Sequence, residues 1–149
     1  MKVRNRINCF TSDTQISENN EDIKNLTSFL CNVPASIYEI IQSPNPCFLT
    51  NKQGRVLYVN NAWEDLYGYS NDTMYMKNFN IVQGEKTDIN IIHEFCNNLR
   101  IYQEAEMNIY NYDSHQNILK LNVKAHKIFT HDYDEHYEYP YYFGRVNAQ

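Results

Sequence analysis

The densest set of chemistry-bearing side chains lies late in the chain, where THDYDEHYEY (130–139) carries His131, Asp132, Asp134 and His136. Imidazoles and carboxylates chelate divalent cations, but their spacing inside an irregular loop fixes no coordination geometry. The stretch is read as a solvated acidic turn, and no metal is expected. Trp63, Tyr67 and Tyr69 have rings that can stack on a planar ligand; on an amphipathic helix such rings face a core. The cysteines, Cys9, Cys31, Cys47 and Cys96, are scattered without a C-x-x-C pair. That pattern predicts reduced, mostly buried thiols, not a disulfide framework. No Ser/His/Asp ordering or paired-carboxylate site stands out, and with only four glycines no phosphate-cradling loop can be placed. The chain is not expected to be an enzyme.

The elements that would position these residues follow from periodicity. Residues 1–20 are polar without a period and read as a flexible arm. Residues 21–45 read as a helical extension: Ile23, Leu26, Phe29 and Leu30 fall at helical spacing, Pro34 interrupts, and Ser36 can cap a second helix with Ile37, Ile40 and Ile41. Ser43 to Pro46 closes it. Strands follow at 47–50 and 55–59 around a turn in which Gly54 can take a positive φ. Asn60 or Asn61 caps a helix with Ala62, Trp63, Leu66 and Tyr67 turned inward, and Gly68 ends it. A helical turn at 70–76, an irregular helical segment at 78–84 and a longer helix capped by Thr87 or Asp88, with Ile91, Ile92, Phe95 and Leu99 inward, complete the middle. Residues 104–110 and 118–128 alternate apolar and polar, and 141–147 is a third strand; that period marks antiparallel strands with one wet face. The turn at 112–116 and the loop at 130–138 separate them.

Two strands, small helices, then three strands is the order of the PAS family, and NFNIVQGEKTD (78–88) resembles the segment NCRFLQGxxTD of its light-sensing LOV branch. The resemblance spans residues 46–147. It implies an α+β PAS fold: a five-stranded antiparallel sheet with small helices on one face, here behind an N-terminal helical extension. LOV domains hold flavin mononucleotide inside, with amides on the ring edge, arginines on the phosphate and a cysteine that bonds the excited ring. Of those positions Asn78, Gln83 and Asn111 match, the last in the pair Asn111-Tyr112. The cysteine falls at Phe79, the two arginines at Asn80 and Cys96, the second ring-contacting asparagine at Leu121 and the last-strand glutamine at about Val146. Arg100, one turn beyond Cys96, recovers part of the phosphate contact at best.

Magnitudes decide what the departures imply. A phenyl ring forms no thioether, so adduct chemistry is not expected. A hydrogen bond to a charged group contributes about 1.5–3 kcal/mol, so losing both arginines removes roughly two to four decades of affinity. Leu121 and Val146 suit an apolar interior, where unmatched flavin amides would be desolvated. The resemblance extends to the flavin-free PAS domains of ether-à-go-go channels, which work as interaction modules. Gly84 would then serve a tight turn, and Thr87 and Asp88 capping.

The expected function is a non-catalytic sensory or protein-interaction module without a cofactor. The alternative is a photoreceptor or redox sensor that holds flavin mononucleotide without adduct formation. A partner protein or second copy would meet the leading helices or the sheet face. A net charge of −5 argues against nucleic acid. No apolar run approaches the roughly 20 residues that span a bilayer, and no signal peptide is visible, so no membrane contact and a cytoplasmic location are expected.

Overall fold

The computed structural model describes residues 42–131 and 138–149, with side chains left aside over 129–140. The expected arm and leading helices, and Asp132, Asp134 and His136, lie outside the described residues. Strand β1 (Cys47–Thr50) and strand β2 (Val56–Val59) are buried at every position. Between them Gly54 takes φ 82°, and Asn51 Oδ1 accepts from the N–H groups of Gln53 (2.9 Å) and Arg55 (3.0 Å). The left-handed Gly54 closes the hairpin as expected, and an Asx turn at Asn51 supports it.

Helix α1 (Asn61–Tyr67) is capped by Asn60, whose Oδ1 accepts from Trp63 N–H; Gly68 ends it at φ 79°. Helix α2 (Asn71–Met74) starts at Ser70. A 3-10 segment (Phe79–Val82) leads to helix α3 (Ile89–Tyr102), capped by Asp88 and not Thr87, and ended by Gln103 in the left-handed region. Strand β3 (Glu104–Tyr112), strand β4 (Ile118–His131) and strand β5 (Glu138–Ala148) finish the chain.

The last strands are longer than the alternation predicts. The β4–β5 ladder continues through Thr130↔Tyr139 and His131↔Glu138, which removes His131 from the expected loop. Polar side chains do not stop a ladder, because pairing satisfies backbone groups whatever the residue. The cysteine expectation divides: Cys47 is buried and Cys96 exposed.

All five strands form one antiparallel sheet in the order β2-β1-β5-β4-β3. Its inner face carries Phe48, Leu121, Val123, Ala125 and Val146, and all the described helices pack there, through Trp63, Tyr67, Met74, Val82, Phe95 and Leu99. One layer of helix on one sheet face is what the separated apolar periods require.

Asn60 ties this arrangement together. Its buried Oδ1 accepts from Cys47 N–H at 2.9 Å as well as from Trp63 N–H at 3.0 Å. Its Nδ2 donates to the carbonyls of Asn45 (2.9 Å) and Ser43 (3.3 Å). One amide therefore caps α1, satisfies the first strand amide and holds the entering chain. Asn60→Ala loses the cap and strands a buried N–H, so it should cost about 2–4 kcal/mol in urea unfolding.

Glu64 gives a pH dependence of known sign. Its carboxylate accepts from Asn71 N–H at 2.5 Å, yet burial, and then Asp65 and Asp72, push its pKa up against that hydrogen bond. The folded chain therefore holds this proton more tightly than the unfolded chain. Its favourable contribution is present at low pH and declines as pH rises from the ordinary glutamate range through the raised value. Glu64→Gln keeps an acceptor without the charge, and should flatten that decline in denaturation midpoints measured across pH.

Candidate functional site

The volume between the inner sheet face and the helices is the place where this fold would enclose a ligand, and its own side chains occupy it. Phe48 on β1 sits over Gly144 on β5, its register partner. A Cβ at residue 144 would lie 2.1 Å from the Phe48 ring, so only glycine admits the ring there. Phe79, delivered by the 3-10 segment, meets Phe48 edge-on with centroids 4.9 Å apart. Trp63 lies tilted 6.2 Å from Phe79 and stacks on Tyr67 at 4.2 Å. These separations are those of favourable aromatic packing. Leu121 and Val146 line the same interior at 1% exposure each.

Of the amides identified from the sequence, Asn111 is buried, and it is already engaged. Asn111 Oδ1 accepts from the Tyr67 hydroxyl at 2.8 Å, and its Nδ2 donates to the Tyr110 carbonyl at 3.2 Å. Burial pushes the Tyr67 pKa far up, so the phenol remains a neutral donor throughout the physiological range. The Tyr67 hydroxyl proton and one lone pair of Asn111 Oδ1 are thus committed to each other.

The other sequence-identified residues do not converge on that interior. Asn78 is exposed, and its Oδ1 accepts from Asn80 N–H to start the 3-10 segment. Asn80, Cys96 and Arg100 are exposed as well. Arg100 donates to Asn97 Oδ1 at 3.0 Å, and burial of the Cys96 sulfur pushes its thiol pKa up, against a pull down from Arg100. Gln83 is half-buried where the 3-10 segment ends. Phe79 is also half-buried.

The G-x-x-T-D residues form a latch between loop and sheet. Gly84 is glycine because the Tyr112 ring lies against it: a Cβ there would be 2.3 Å from Cε1. Its φ is not positive, and the expected tight turn is present, closed by Thr87 N–H donating to the Gly84 carbonyl at 3.0 Å, so the close approach of Tyr112 is an added reason for glycine. Tyr112 Oη accepts from Lys86 N–H at 3.0 Å. Thr87 Oγ1 accepts from Gly84 N–H (2.9 Å) and donates to the Tyr110 carbonyl (2.6 Å). Sequence reasoning turned Tyr67 inward, as found, but missed its pairing with Asn111 and missed Phe48 and Gly144 as occupants of the interior. The one available signal was Gly144, a glycine inside an apolar strand.

Among the described residues no group of three His, Cys, Asp or Glu side chains could hold a metal ion. No described helix is long and apolar enough to cross a membrane. Two open cavities lie at the surface. One, about 330 Å³, is on the outer sheet face beside Glu104, Glu106, Lys124, His126 and Arg145. The other, about 260 Å³, lies by Lys86, Tyr110 and Lys120.

Comparison with known proteins agrees with the fold. The PAS domain family matches residues 44–139. A blue-light-activated histidine kinase 2 from Erythrobacter litoralis (strain HTCC2594) is 39% identical over 57 residues, which is 38% of this chain and 16% of that protein. The chain thus spans only a small part of that relative. Among solved structures, the LOV domain of the Erythrobacter litoralis EL346 blue-light-activated histidine kinase superposes with TM-score 0.61 at 24% identity, covering 71% of this chain and 96% of that one. A PAS domain from Colwellia psychrerythraea gives TM-score 0.62 at 15% identity, covering 76% and 93%. The light-state Aureochrome1 LOV domain gives 0.60 at 16%, covering 76% and 88%.

The Tyr67–Asn111 pair carries a direct test. Tyr67→Phe keeps the ring stack but leaves a buried amide oxygen without its donor. It should cost about 1–3 kcal/mol in chemical denaturation, with Asn111→Leu in the same chain recovering part of the loss.

Proposed function

The chain belongs to the PAS domain family, and from that membership we propose a non-catalytic sensory or protein-interaction module whose interior works without a flavin. One observation carries the reading: the Tyr67 hydroxyl occupies Asn111, while Phe48, Phe79 and Trp63 fill the adjoining space. Flavin entry would have to expel packed rings and break a buried hydrogen bond before gaining any contact. The exposed positions of Asn80 and Cys96, where LOV relatives carry phosphate-binding arginines, support the same conclusion. Phe79 at the reactive position supplies no thiolate for an adduct. The candidate residues Asn78, Phe79, Asn80, Gln83, Cys96, Arg100, Asn111, Leu121 and Val146 are thus read as the refitted remains of a ligand site.

The domain assignment belongs to the same proposal: an arm over 1–20, a helical extension over 21–45 and the PAS unit over 46–147. We place the chain in the cytoplasm, with a partner protein or second copy reached through the leading residues or the sheet face. Nucleic acid and membrane are not among its partners.

The match to a blue-light-activated histidine kinase favours a second reading, a flavin mononucleotide photoreceptor or redox sensor acting without adduct formation. Any coupling to a kinase belongs to that reading. An absorption spectrum of the purified full chain, produced with ample flavin, separates the two. The expected preparation is colourless, with no oxidised-flavin band and no flavin fluorescence released on denaturation. A yellow colour that survives exhaustive dialysis would establish the second reading instead.

A further inference from the structure

Strand β3 forms one edge of the sheet, with β4 on one side and, among the described residues, no strand on the other. The two ends of the ladder fix its phase. Lys127 N–H donates to the Gln103 carbonyl at 2.8 Å and Asp113 N–H to the Asn117 carbonyl at 3.0 Å, and the register between them is unbroken. Odd-numbered residues of β3 therefore exchange hydrogen bonds with β4, and even-numbered ones turn their N–H and C=O groups away from it. Thr87 fits this phase, because its hydroxyl reaches the Tyr110 carbonyl from outside the sheet. Among the described residues nothing pairs with the backbone of Glu104, Glu106 or Asn108 on that side.

An open run of this kind is a template for one more strand, and its side chains select which strand fits. Glu104, Glu106 and Asn108 share the outer face and are exposed. Lys124 and Arg145 continue the Glu106 row toward β5, so the charge nearest the edge is acidic. Ala105 and Met107 alternate with these on the inner face, half-buried against the core. A strand laid alongside matches this pattern when basic side chains stand opposite Glu104 and Glu106 and apolar ones beside Ala105 and Met107. The run ends where Thr87 occupies the Tyr110 carbonyl, and there a cavity of about 260 Å³ opens between Asp88, Ile91, Asn108 and Tyr110. A second copy matches poorly: pairing β3 with itself about Ala105 or Glu106 sets glutamate against glutamate.

We propose that the open edge of β3, residues 104–108, takes an extended segment of a partner protein in which Lys or Arg alternates with apolar residues. The incoming backbone pairs with the outward groups of Glu104, Glu106 and Asn108, and Thr87 stops it from running past Tyr110. Main-chain pairing supplies the hold and the alternating side chains supply the selectivity. The inference deepens the interaction-module reading and rests on it for the existence of a partner. It does not depend on what fills the interior, so it can fail while the flavin spectrum holds, and the reverse.

Residue-resolved amide exchange of the full chain, followed by NMR, tests this with a short capped peptide of alternating lysine and valine. In the free chain the amides of Glu104, Glu106 and Asn108 should exchange fast, while those of Ala105, Met107 and Ile109 are protected. Millimolar peptide should slow the first three by about 5-fold or more. The same peptide with glutamate for lysine should leave them unchanged. Glu106→Pro removes an outward N–H without breaking a ladder bond. It should abolish the slowing at Glu104 and Asn108 while Ala105 and Met107 stay protected. If that variant fails to fold, Glu104→Lys with Glu106→Lys should transfer the response to the glutamate peptide. Slow exchange of all three outward amides in the free chain overturns the proposal, since another segment or a second copy then holds the edge. So does a lysine peptide that leaves them unprotected, or that protects them equally in the Glu106→Pro chain.

Discussion

The close approach of the Phe48 ring to the backbone of Gly144 sets the shape of this domain's interior. A phenyl group laid directly on a central strand needs a residue without a Cβ beneath it, and the β1–β5 register supplies one. Once that ring is placed, Phe79 closes against its edge and Trp63 and Tyr67 stack behind. The helices then pack on these aromatic side chains.

Amides tell the same story from the polar side. Buried asparagines are costly unless satisfied, and Asn60 and Asn111 meet that condition with internal partners. Asn71 Oδ1 likewise accepts from Val59 N–H at 2.9 Å, joining α2 to β2. These side chains act as fasteners between backbone segments. A residue type suited to gripping a heteroaromatic ring is equally suited to gripping a carbonyl, and here the internal partner is already in place.

The two faces of the sheet have separate roles. The inner face is closed by helices whose apolar positions were readable from their spacing. The outer face is divided: an apolar half at β1, β2 and β5 shows almost no exposure, whereas β3 and β4 present Glu104, Glu106 and Lys124 to water.

The order of elements, the two-residue period of the last strands, the caps to within one of two neighbours (Asn60 or Asn61, Thr87 or Asp88) and the glycine turns at Gly54 and Gly68 were determined by local sequence, because each depends on near neighbours or backbone dihedrals. The departures from a flavin site, Phe79 and Leu121 above all, were also legible, since a change of residue type is visible without coordinates. Tertiary structure alone decided which groups meet. The Gly84–Tyr112 contact, the Tyr67–Asn111 hydrogen bond and the seat of Phe48 on Gly144 join residues 28, 44 and 96 positions apart. So did the extension of β4 to His131, where strand pairing overrode a polar stretch that reads as loop. Periodicity reports which face a side chain occupies; only the folded register reports what stands opposite it.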